Sequence, residues 1–169
     1  LNRTWQCGTI QLDMSLPERF NLYFIDKDNE KHRPIMIHRT VFGSIERFLG
    51  ILIEHFAGKF PLWLSPLQAI ILPINDELVP YANEVLATLK NAGLRAEVDS
   101  RTESLNKKVR EAQLQYSPLI LTIGGKEKEA STLSVRTLDG NVKYGVSHET
   151  FLNTVQSHIR NRELSLEFV

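Results

Sequence analysis

The 169-residue sequence has no long hydrophobic run, only one cysteine and no excess of charge of either sign. No apolar stretch approaches the roughly 20 residues that a membrane-spanning helix needs, so we expect no membrane partner. Because the single Cys7 cannot form a disulfide within the chain, a reducing compartment such as the cytoplasm is expected. The 20 basic and 20 acidic residues cancel. A nucleic acid would therefore have to be bound by local patches.

Targeting signals are also lacking at the N-terminus, which has neither a basic segment with an apolar core nor a cleavage site. The absence of an initiating methionine and the strand-like sequence around Trp5 lead us to expect that the chain begins inside a larger domain. The content of 42% hydrophobic and 8% aromatic residues is typical of a folded globular protein. The length suffices for one ordinary domain or two small ones.

The first part of the chain has the period of β-strands. Residues 4–14 place polar and apolar side chains on alternate sides, with the more polar side consisting of Trp5, Cys7, Thr9, Gln11 and Asp13. This face is a candidate wall of a binding site, although it can equally be a surface exposed to water. Further strands are predicted at 20–26 and 33–39, separated by a charged turn at 27–32.

The pattern changes near residues 57–66, AGKFPLWLSP, which contain two prolines. We therefore predict two domains, residues 1–60 and residues 61–169. The second domain is predicted as alternating strands and helices, which favours a mainly parallel sheet covered by helices. Its predicted strands are 68–74, 94–100, 118–124 and 132–137, and its predicted helices are 77–93, 104–115 and 147–163. Gly93 is expected to end the first of these helices, and Ser147 and Thr150 are candidates for capping the last.

Residues 38–55 are interpreted as a buried apolar helix, and one stripe of this helix contains Gly43, Gly50, Glu54 and the charged residue of interest, Arg47. Gly43 and Gly50 flank it, and a glycine inside a helix costs about 1 kcal/mol relative to alanine. Room beside a planar cation suits an anionic ligand such as a nucleotide. The alternative is a structural ion pair between Arg47 and Glu46 or Glu54, with the glycines serving close helix packing.

A family resemblance favours the first interpretation. The segment GSIERFLGILIEHFAGKFPLWLSP is similar to motif 3 of class II aminoacyl-tRNA synthetases. Together with WQCGTIQLD, PIMIHRTVFGSIERF, NAGLRAEVD and the turn GGKEKE, it resembles the threonyl-tRNA synthetases over nearly the whole chain. The resemblance implies an α/β fold: the remnant of a class II antiparallel sheet with the motif 3 helix, then a βαβαβ anticodon-binding domain with a mixed, mainly parallel sheet and flanking helices.

The resemblance also implies an activity, namely the ATP-dependent activation of threonine and its transfer to tRNA(Thr). Arg47 matches the catalytic arginine that contacts the phosphates of ATP, which is used with Mg²⁺, and a guanidinium suits that contact. The strand matching WQCGTIQLD lines the ATP and threonine pocket, which implicates Gln6, Thr9 and Gln11. Thr9 and Gln11 lie on the polar side of the predicted strand, whereas Gln6 does not.

His38 is implied to be one ligand of a Zn²⁺ ion. Taken alone, a histidine at the end of an apolar strand is more often a hydrogen-bonded core residue. The family's other two zinc ligands lie in sequence that this chain does not contain, and Cys7 does not match the ligand cysteine. Stable zinc binding by this chain alone is therefore not expected.

In the second domain the resemblance implies that Arg110, Glu127 and Arg136 read anticodon bases. Arginine can pair with a guanine edge or stack on an unpaired base, and a carboxylate can accept from a base amino group. Lys107 and Lys108 are candidates for phosphate contact. Each of these charges can equally be a solvated surface group. Thr102 departs from the asparagine common in the family, which puts one base contact in doubt.

Motif 1, which builds the family's homodimer interface, and motif 2 do not occur in this sequence. We therefore expect the chain to correspond to the C-terminal part of such a ligase and to be inactive by itself. Two other classes remain open. One is a non-catalytic tRNA-binding paralogue or accessory module that uses only the anticodon-binding domain, and the other is an accessory subunit that binds a protein partner.

Overall fold

A computed structural model of the protein describes residues 3–167. The chain divides into two compact units, Leu1–Phe56 and Ala57–Val169. The first unit consists of a two-stranded antiparallel sheet, a short hairpin and two helices. In chain order they are β1 (Gly8–Asp13), α1 (Ser15–Arg19), β2 (Phe24–Ile25), β3 (Lys31–His32), β4 (Met36–Val41) and α2 (Ile45–Phe56). Strand β1 pairs with β4, and β2 pairs with β3.

The segment 38–55 is not one helix. Residues 38–41 complete β4, and α2 begins only at Ile45. Gly43 lies in the connection between them with a φ of 70°, a left-handed conformation that suits glycine. No residue of α2 is buried, and Ile45 is 73% exposed. The prediction of a buried helix was therefore wrong for this unit, because too little of the described chain lies against its apolar side.

The predicted strands at 20–26 and 33–39 do not pair with each other across the charged segment. A tight turn forms within that segment instead, in which Asp26 N–H donates to Glu30 O and Asn29 N–H donates to Asp26 O. Asn29 adopts a φ of 61°, which asparagine tolerates better than most residues. The charged residues Lys31 and His32 therefore form β3.

The second unit is a five-stranded mixed sheet with helices on both faces. In chain order its elements are β5 (Ala69–Pro73), a 3₁₀ turn (Asp76–Leu78), α3 (Val79–Asn91), β6 (Ala96–Val98), α4 (Leu105–Leu114), β7 (Leu119–Ile123), α5 (Gly125–Ala130), β8 (Thr132–Thr137), β9 (Val142–Ser147) and α6 (His148–Asn161). The strand order is β6-β5-β7-β8-β9, and only β8 runs against the other four. This confirms the predicted mixed, mainly parallel sheet.

Alternate residues of the strands separate the core into two layers. On one face, Leu121 and its neighbours pack against α3 and α6, including Leu89 and Phe151. On the other face, Ile70 and Ile120 pack against Ala112 of α4. The helix ends agree with their sequence signals, since Gly93 follows α3 with a φ of 85° and Ser147 Oγ accepts from Thr150 N–H.

Two elements of the second unit were missed by the sequence analysis. Helix α5 occupies what was interpreted as the turn GGKEKE, and β9 occupies residues 142–147, for which no strand was predicted. In β9 the alternation is interrupted at Gly145, which has a φ of 68° beside a shift in the β8–β9 register. Bulges of this kind disturb the period of two on which strand prediction depends.

The segment that leads into β5 is anchored by a buried glutamine. Gln68 is 1% exposed, its Nε2 donates to Leu62 O at 2.9 Å, and its Oε1 accepts from Arg95 N–H at 3.0 Å. The Arg95 guanidinium in turn donates to Trp63 O and Ser65 O. These bonds fix residues 62–68 against β6.

We expect Gln68→Leu to lower the free energy of unfolding by at least about 1 kcal/mol, because it leaves the buried Leu62 carbonyl and the partly buried Arg95 N–H without their partners. Urea denaturation monitored by fluorescence measures the effect. Gln115→Leu is the control, since Gln115 is exposed at the end of α4. Equal stability of the two variants would contradict the anchoring role.

Within residues 3–167, none of the helices combines the length and the apolar character needed to cross a membrane.

Candidate nucleotide and anticodon sites

The polar face of the β1–β4 ladder gathers three of the predicted site residues. Thr9 pairs with Thr40 and Gln11 pairs with His38. Because directly paired side chains of an antiparallel ladder point to the same face, Thr9, Gln11 and His38 share one surface. Thr9 Oγ1 lies 2.6 Å from Thr40 Oγ1. Gln6 is exposed and precedes β1, so the ladder does not bring it to this surface.

Arg47 lies on the first turns of α2 with an exposed side chain. Its guanidinium carbon is 5.4 Å from the centre of the Trp5 ring, and that of Arg3 is 5.2 Å from the same ring. These distances allow a cation–π attraction, which holds a guanidinium without using its N–H groups. The Trp5 ring therefore orients Arg47 while leaving its donors available.

The alternative ion pair of Arg47 with a glutamate is not formed. Glu54 pairs with Arg3 instead. Within residues 3–167, the Arg47 guanidinium makes no hydrogen bond or ion pair, and a Cβ added at Gly50 would meet nothing within 4 Å. The helix surface at Gly50 is accordingly open, and the exposed Arg47 guanidinium keeps its five N–H donors available.

His38 is half-exposed and is held by one carboxylate. Its Nε2 lies 3.0 Å from Asp13 Oδ2. A histidine supported in this way by a carboxylate is the usual arrangement of a metal ligand, so the residue fits the implied zinc role. A single ligand does not retain zinc, which needs three or four.

One group of potential metal ligands does occur within the described residues 3–167, but it does not include His38. Asp26, Asp28 and His32 have ligand atoms within 4.8 Å of one another, and all three are exposed on the β2–β3 hairpin. Local contacts account for them. Asp26 Oδ1 accepts from Lys27 N–H at 2.7 Å, and His32 lies 3.8 Å from Asp28.

A crevice in the second unit lies at the carboxyl ends of β5 and β7. The chain leaves β5 towards α3 on one face of the sheet and leaves β6 towards α4 on the other, and open α/β sheets bind ligands where the connections diverge in this way. Two clefts of about 430 Å³ and about 350 Å³ meet here at Asn75. The first is lined by Glu77, Leu78, Gly125, Lys128 and Glu129, and the second by Asp76, Arg101, Thr102, Ser104 and Lys108.

Glu127 is fixed beside this crevice by α5. Its Oε2 accepts from Gly124 N–H at 3.0 Å, and its Oε1 accepts from Ser134 Oγ at 2.7 Å. Partial burial by itself raises the pKa of Glu127, but the hydrogen bonds from Ser134 and from backbone N–H groups outweigh burial and hold the pKa below its ordinary value. At neutral pH the group is therefore an ionised acceptor with a fixed orientation.

Arg136 lies on the same face of the sheet as the partner of Glu127. Ser134 and Arg136 are two residues apart on β8 and so point to one side, opposite Thr122 and Ile120 of β7. The Arg136 guanidinium donates to Gly140 O at 3.3 Å. A fixed carboxylate and a partly exposed guanidinium thus share one surface, which is the combination that reads donor and acceptor groups on base edges.

The three basic residues of α4 have different environments. Arg110 is exposed, and Lys107 forms an i,i+4 pair with Glu103 at 2.6 Å. Lys108 is only 4% exposed and donates to Asp99 O at 3.1 Å. The prediction that Lys108 presents its ammonium to a phosphate at the surface was therefore wrong. The helix turns this residue towards the sheet, where it ties α4 to the loop after β6.

That loop contains an ion-pair network of Asp99, Arg101 and Glu111 that the sequence analysis did not predict. Arg101 Nε and Nη2 donate to the two carboxylate oxygens of Asp99 at 2.9 and 2.6 Å, and Nη2 also donates to Glu111. The hydrogen bonds from Arg101 hold the pKa of Asp99 below its usual range. This network fixes the backbone of the loop after β6, where Thr102 lines the cleft. The spacing of Asp99 and Arg101, two residues apart at the end of a predicted strand, could have indicated this ion pair.

Comparison with known proteins gives the class of the chain. The family described as "Anticodon binding domain" matches residues 68–158, which is more than half of the chain. The family described as "tRNA synthetase class II core domain (G, H, P, S and T)" matches residues 1–56. The chain belongs to the anticodon-binding domain family of class II aminoacyl-tRNA synthetases, with the end of a class II core domain before it.

Curated relatives specify which synthetase the chain is similar to. It is 68% identical over 162 residues to the threonine–tRNA ligase of Desulfosudis oleivorans, covering 96% of this chain and 25% of that protein. It is 65% identical over 166 residues to the ligase of Desulfatibacillum aliphaticivorans, covering 98% and 26%. The ligase of Clostridioides difficile is 53% identical over 163 residues, covering 96% and 26%. The chain thus spans about a quarter of the length of these relatives, and the resemblance to threonyl-tRNA synthetases is confirmed.

Solved structures agree with this assignment. The RNA binding domain of threonyl-tRNA synthetase from Cryptosporidium parvum matches with a TM-score of 0.82 at 35% identity, covering 98% of this chain and 41% of that one. Prolyl-tRNA synthetase from the same organism matches with a TM-score of 0.69 at 22% identity, covering 92% and 34%. The second match shows a shared fold only.

Proposed function

We propose that this chain is the part of a threonine–tRNA ligase that recognises the anticodon of tRNA(Thr) through residues 61–169, while residues 1–60 complete the catalytic site. The observation that carries the proposal is the sheet face that carries Ser134, which holds Glu127 beside the crevice at the ends of β5 and β7, and Arg136, which lies opposite Ile120 towards the other end of β7. Its groups are pre-oriented by the fold, so they lose little freedom on binding RNA. Arg110, which is exposed on α4, is proposed to contact phosphate or stack on a base.

In the first unit, Arg47 is proposed to contact the phosphates of ATP, which is used with Mg²⁺. Its open guanidinium stabilises the charge on the triphosphate while threonine is activated to the adenylate. Thr9 and Gln11 are proposed to contact the amino acid and adenylate from the polar face of β1, with Gln6 before them. His38 is proposed as one of three zinc ligands. When bound, zinc supplies an open position for the amino and hydroxyl groups of threonine, and valine has no such hydroxyl.

The complete ligase is proposed to act as a homodimer in the cytoplasm. Its product is threonyl-tRNA, formed when the activated threonine is transferred to the terminal ribose of tRNA(Thr).

The proposal is tested by binding of RNA to the 169-residue chain. A fluorescently labelled anticodon stem-loop of tRNA(Thr) is titrated with the protein, alongside the same hairpin carrying a changed middle anticodon base. We expect a loss of about fivefold or more in affinity for the changed hairpin, because one mismatched base contact costs about 1–3 kcal/mol. Equal affinity for the two hairpins at the same salt concentration would overturn anticodon recognition.

The orientation of Glu127 can be altered without changing the residue itself. A Cβ added at Gly124 would lie 2.8 Å from Glu127 Oε2 and 2.8 Å from Ile74 Cδ1. Both are ends of flexible side chains, so we expect Gly124→Ala to preserve the fold and to displace the carboxylate. Affinity for the anticodon stem-loop should fall by less than tenfold, or less than about 1.4 kcal/mol.

The matched control is Gly50→Ala in the first unit, since a Cβ at Gly50 meets nothing within 4 Å and Gly50 lines neither cleft of the crevice. If both alanine variants bind the stem-loop like the unchanged chain, the carboxylate orientation set by Gly124 has no role in binding.

A further inference from the structure

We infer that Asp13 is a positioning residue that selects which ring nitrogen of His38 faces the metal. The inference rests on the proposed zinc role of His38 and adds a residue that sets the form of that ligand. It is carried by the hydrogen bonds of both carboxylate oxygens of Asp13.

The first oxygen of Asp13 fixes the carboxylate to the backbone. Oδ1 accepts from Ser15 N–H at 2.8 Å and from Leu16 N–H at 3.0 Å, the first two backbone donors of α1. These bonds orient the carboxylate plane from a segment that does not include His38. The second oxygen, Oδ2, is thereby directed to one place, which is 3.0 Å from His38 Nε2.

The strand register brings the two residues together. Asp13 is paired with Met36, and His38 is paired with Gln11, so Asp13 and His38 are diagonal neighbours on one face of the ladder. The pairing of β1 with β4 fixes the distance between the backbones of Asp13 and His38. Two surface residues that are not held by paired strands have no such fixed distance. The Asp13 side chain is also the less exposed of the two, at 21% against 43%.

The chemistry of the pair determines the tautomer. An ionised carboxylate only accepts hydrogen bonds, so the neutral ring must carry its proton on Nε2. Nδ1 then holds the lone pair, which is the form in which a histidine ligates a metal. Within residues 3–167, Nδ1 of His38 makes no hydrogen bond. The hydrogen bond between Nε2 and Asp13 therefore leaves Nδ1 of His38 as the atom available to the metal.

A second histidine in the same unit lacks this arrangement. His32 lies 3.8 Å from Asp28, four residues away on the exposed hairpin, which is beyond hydrogen-bonding distance. This pair serves as an internal control because it has the same residue types without the fixed geometry.

The test measures the tautomer of His38 directly. The 169-residue chain is labelled with ¹⁵N-histidine, and long-range ¹H–¹⁵N NMR spectra are recorded near pH 8, where a histidine of ordinary pKa is neutral. We expect Nε2 to be the protonated nitrogen of His38. Asp13→Asn keeps Oδ1 as an acceptor for α1 and replaces Oδ2 by an amide donor, so the tautomer should reverse to Nδ1–H.

Asp28→Asn is the matched control and should leave the His38 signals unchanged. Backbone amide spectra of each variant establish that the fold is intact. A predominant Nδ1–H tautomer in the unchanged chain, or the same tautomer in Asp13→Asn, would overturn the inference. A merely structural role of Asp13 would not reverse which nitrogen carries the proton.

A second measurement separates this inference from the proposed zinc role. In the full-length ligase, metal content and zinc affinity are measured for His38→Asn and Asp13→Asn. We expect His38→Asn to lose zinc and Asp13→Asn to bind it about 10- to 100-fold more weakly. Unchanged zinc content in His38→Asn would refute the zinc role alone. Unchanged affinity in Asp13→Asn with a loss in His38→Asn would refute the positioning role alone.

Discussion

Replacing Phe151 by alanine is expected to lower the free energy of unfolding of the second unit by about 3–5 kcal/mol. The ring is fully buried at 0% exposure and packs in the layer that joins α6 to the sheet. Truncation removes the transfer energy of the ring and leaves a cavity that rigid strands on one side cannot fill. Because a domain of this size has a total stability of about 5–15 kcal/mol, the loss is a large fraction of it.

Urea denaturation followed by circular dichroism measures the change, and Asn153→Ala is the control because Asn153 is exposed on the same helix. Phe151→Leu should cost less than Phe151→Ala, since it retains most of the apolar volume. A loss below about 1 kcal/mol in Phe151→Ala would mean that α6 is not part of the cooperative core.

Replacing Arg136 by alanine is expected to weaken binding of the anticodon stem-loop by roughly fivefold to 150-fold, corresponding to about 1–3 kcal/mol. The guanidinium is the permanent positive charge on the face that also carries Ser134, the partner of Glu127. If it reads a base, the variant should also discriminate less between the native hairpin and the hairpin with a changed anticodon. If it contacted phosphate alone, both hairpins would lose affinity equally.

Fluorescence anisotropy at several salt concentrations distinguishes these outcomes, because a lost phosphate contact also reduces the salt dependence. Arg160→Ala is a suitable control, since Arg160 is exposed on α6 and lines neither cleft of the crevice. Arg136→Lys should restore charge without the planar fork. Full affinity and full discrimination in Arg136→Ala would contradict the assignment of this residue.

The fold of the second unit was predictable where side-chain periodicity is regular and where caps have their usual residues. Helix α3, with Pro80 in its first turn and Gly93 after its last, is an example. Helix α5 was not predictable, because it depends on Glu127 bonding to Gly124 and to Ser134 on the following strand. Strand β9 was missed because a bulge breaks its alternation. In both cases the deciding feature involves the neighbouring strand β8, either as a hydrogen bond from Ser134 or as a shift in the strand register.

In the candidate site, too, some residue positions follow from sequence patterns and others only from the folded chain. The alternation of residues 4–14 placed Thr9 and Gln11 on one side, and the β1–β4 register adds His38 to that side, which no local pattern in the sequence indicates. The ion-pair alternative for Arg47 was resolved only by the position of Arg3, 51 residues before Glu54. Lys108 was misassigned because a lysine in a charged run resembles a surface residue, whereas its backbone acceptor on Asp99 is known only from the folded chain.

The two outer strands of the five-stranded sheet have a consequence for solubility. Exposed sheet edges can pair with other chains and start aggregation, and proteins counter this with short or irregular edge strands. Here β6 is only three residues long, and β9 is broken by the bulge at Gly145. Neither edge therefore offers a long, regular row of unpaired backbone groups. This limits pairing of either edge of the five-stranded sheet with strands of other chains.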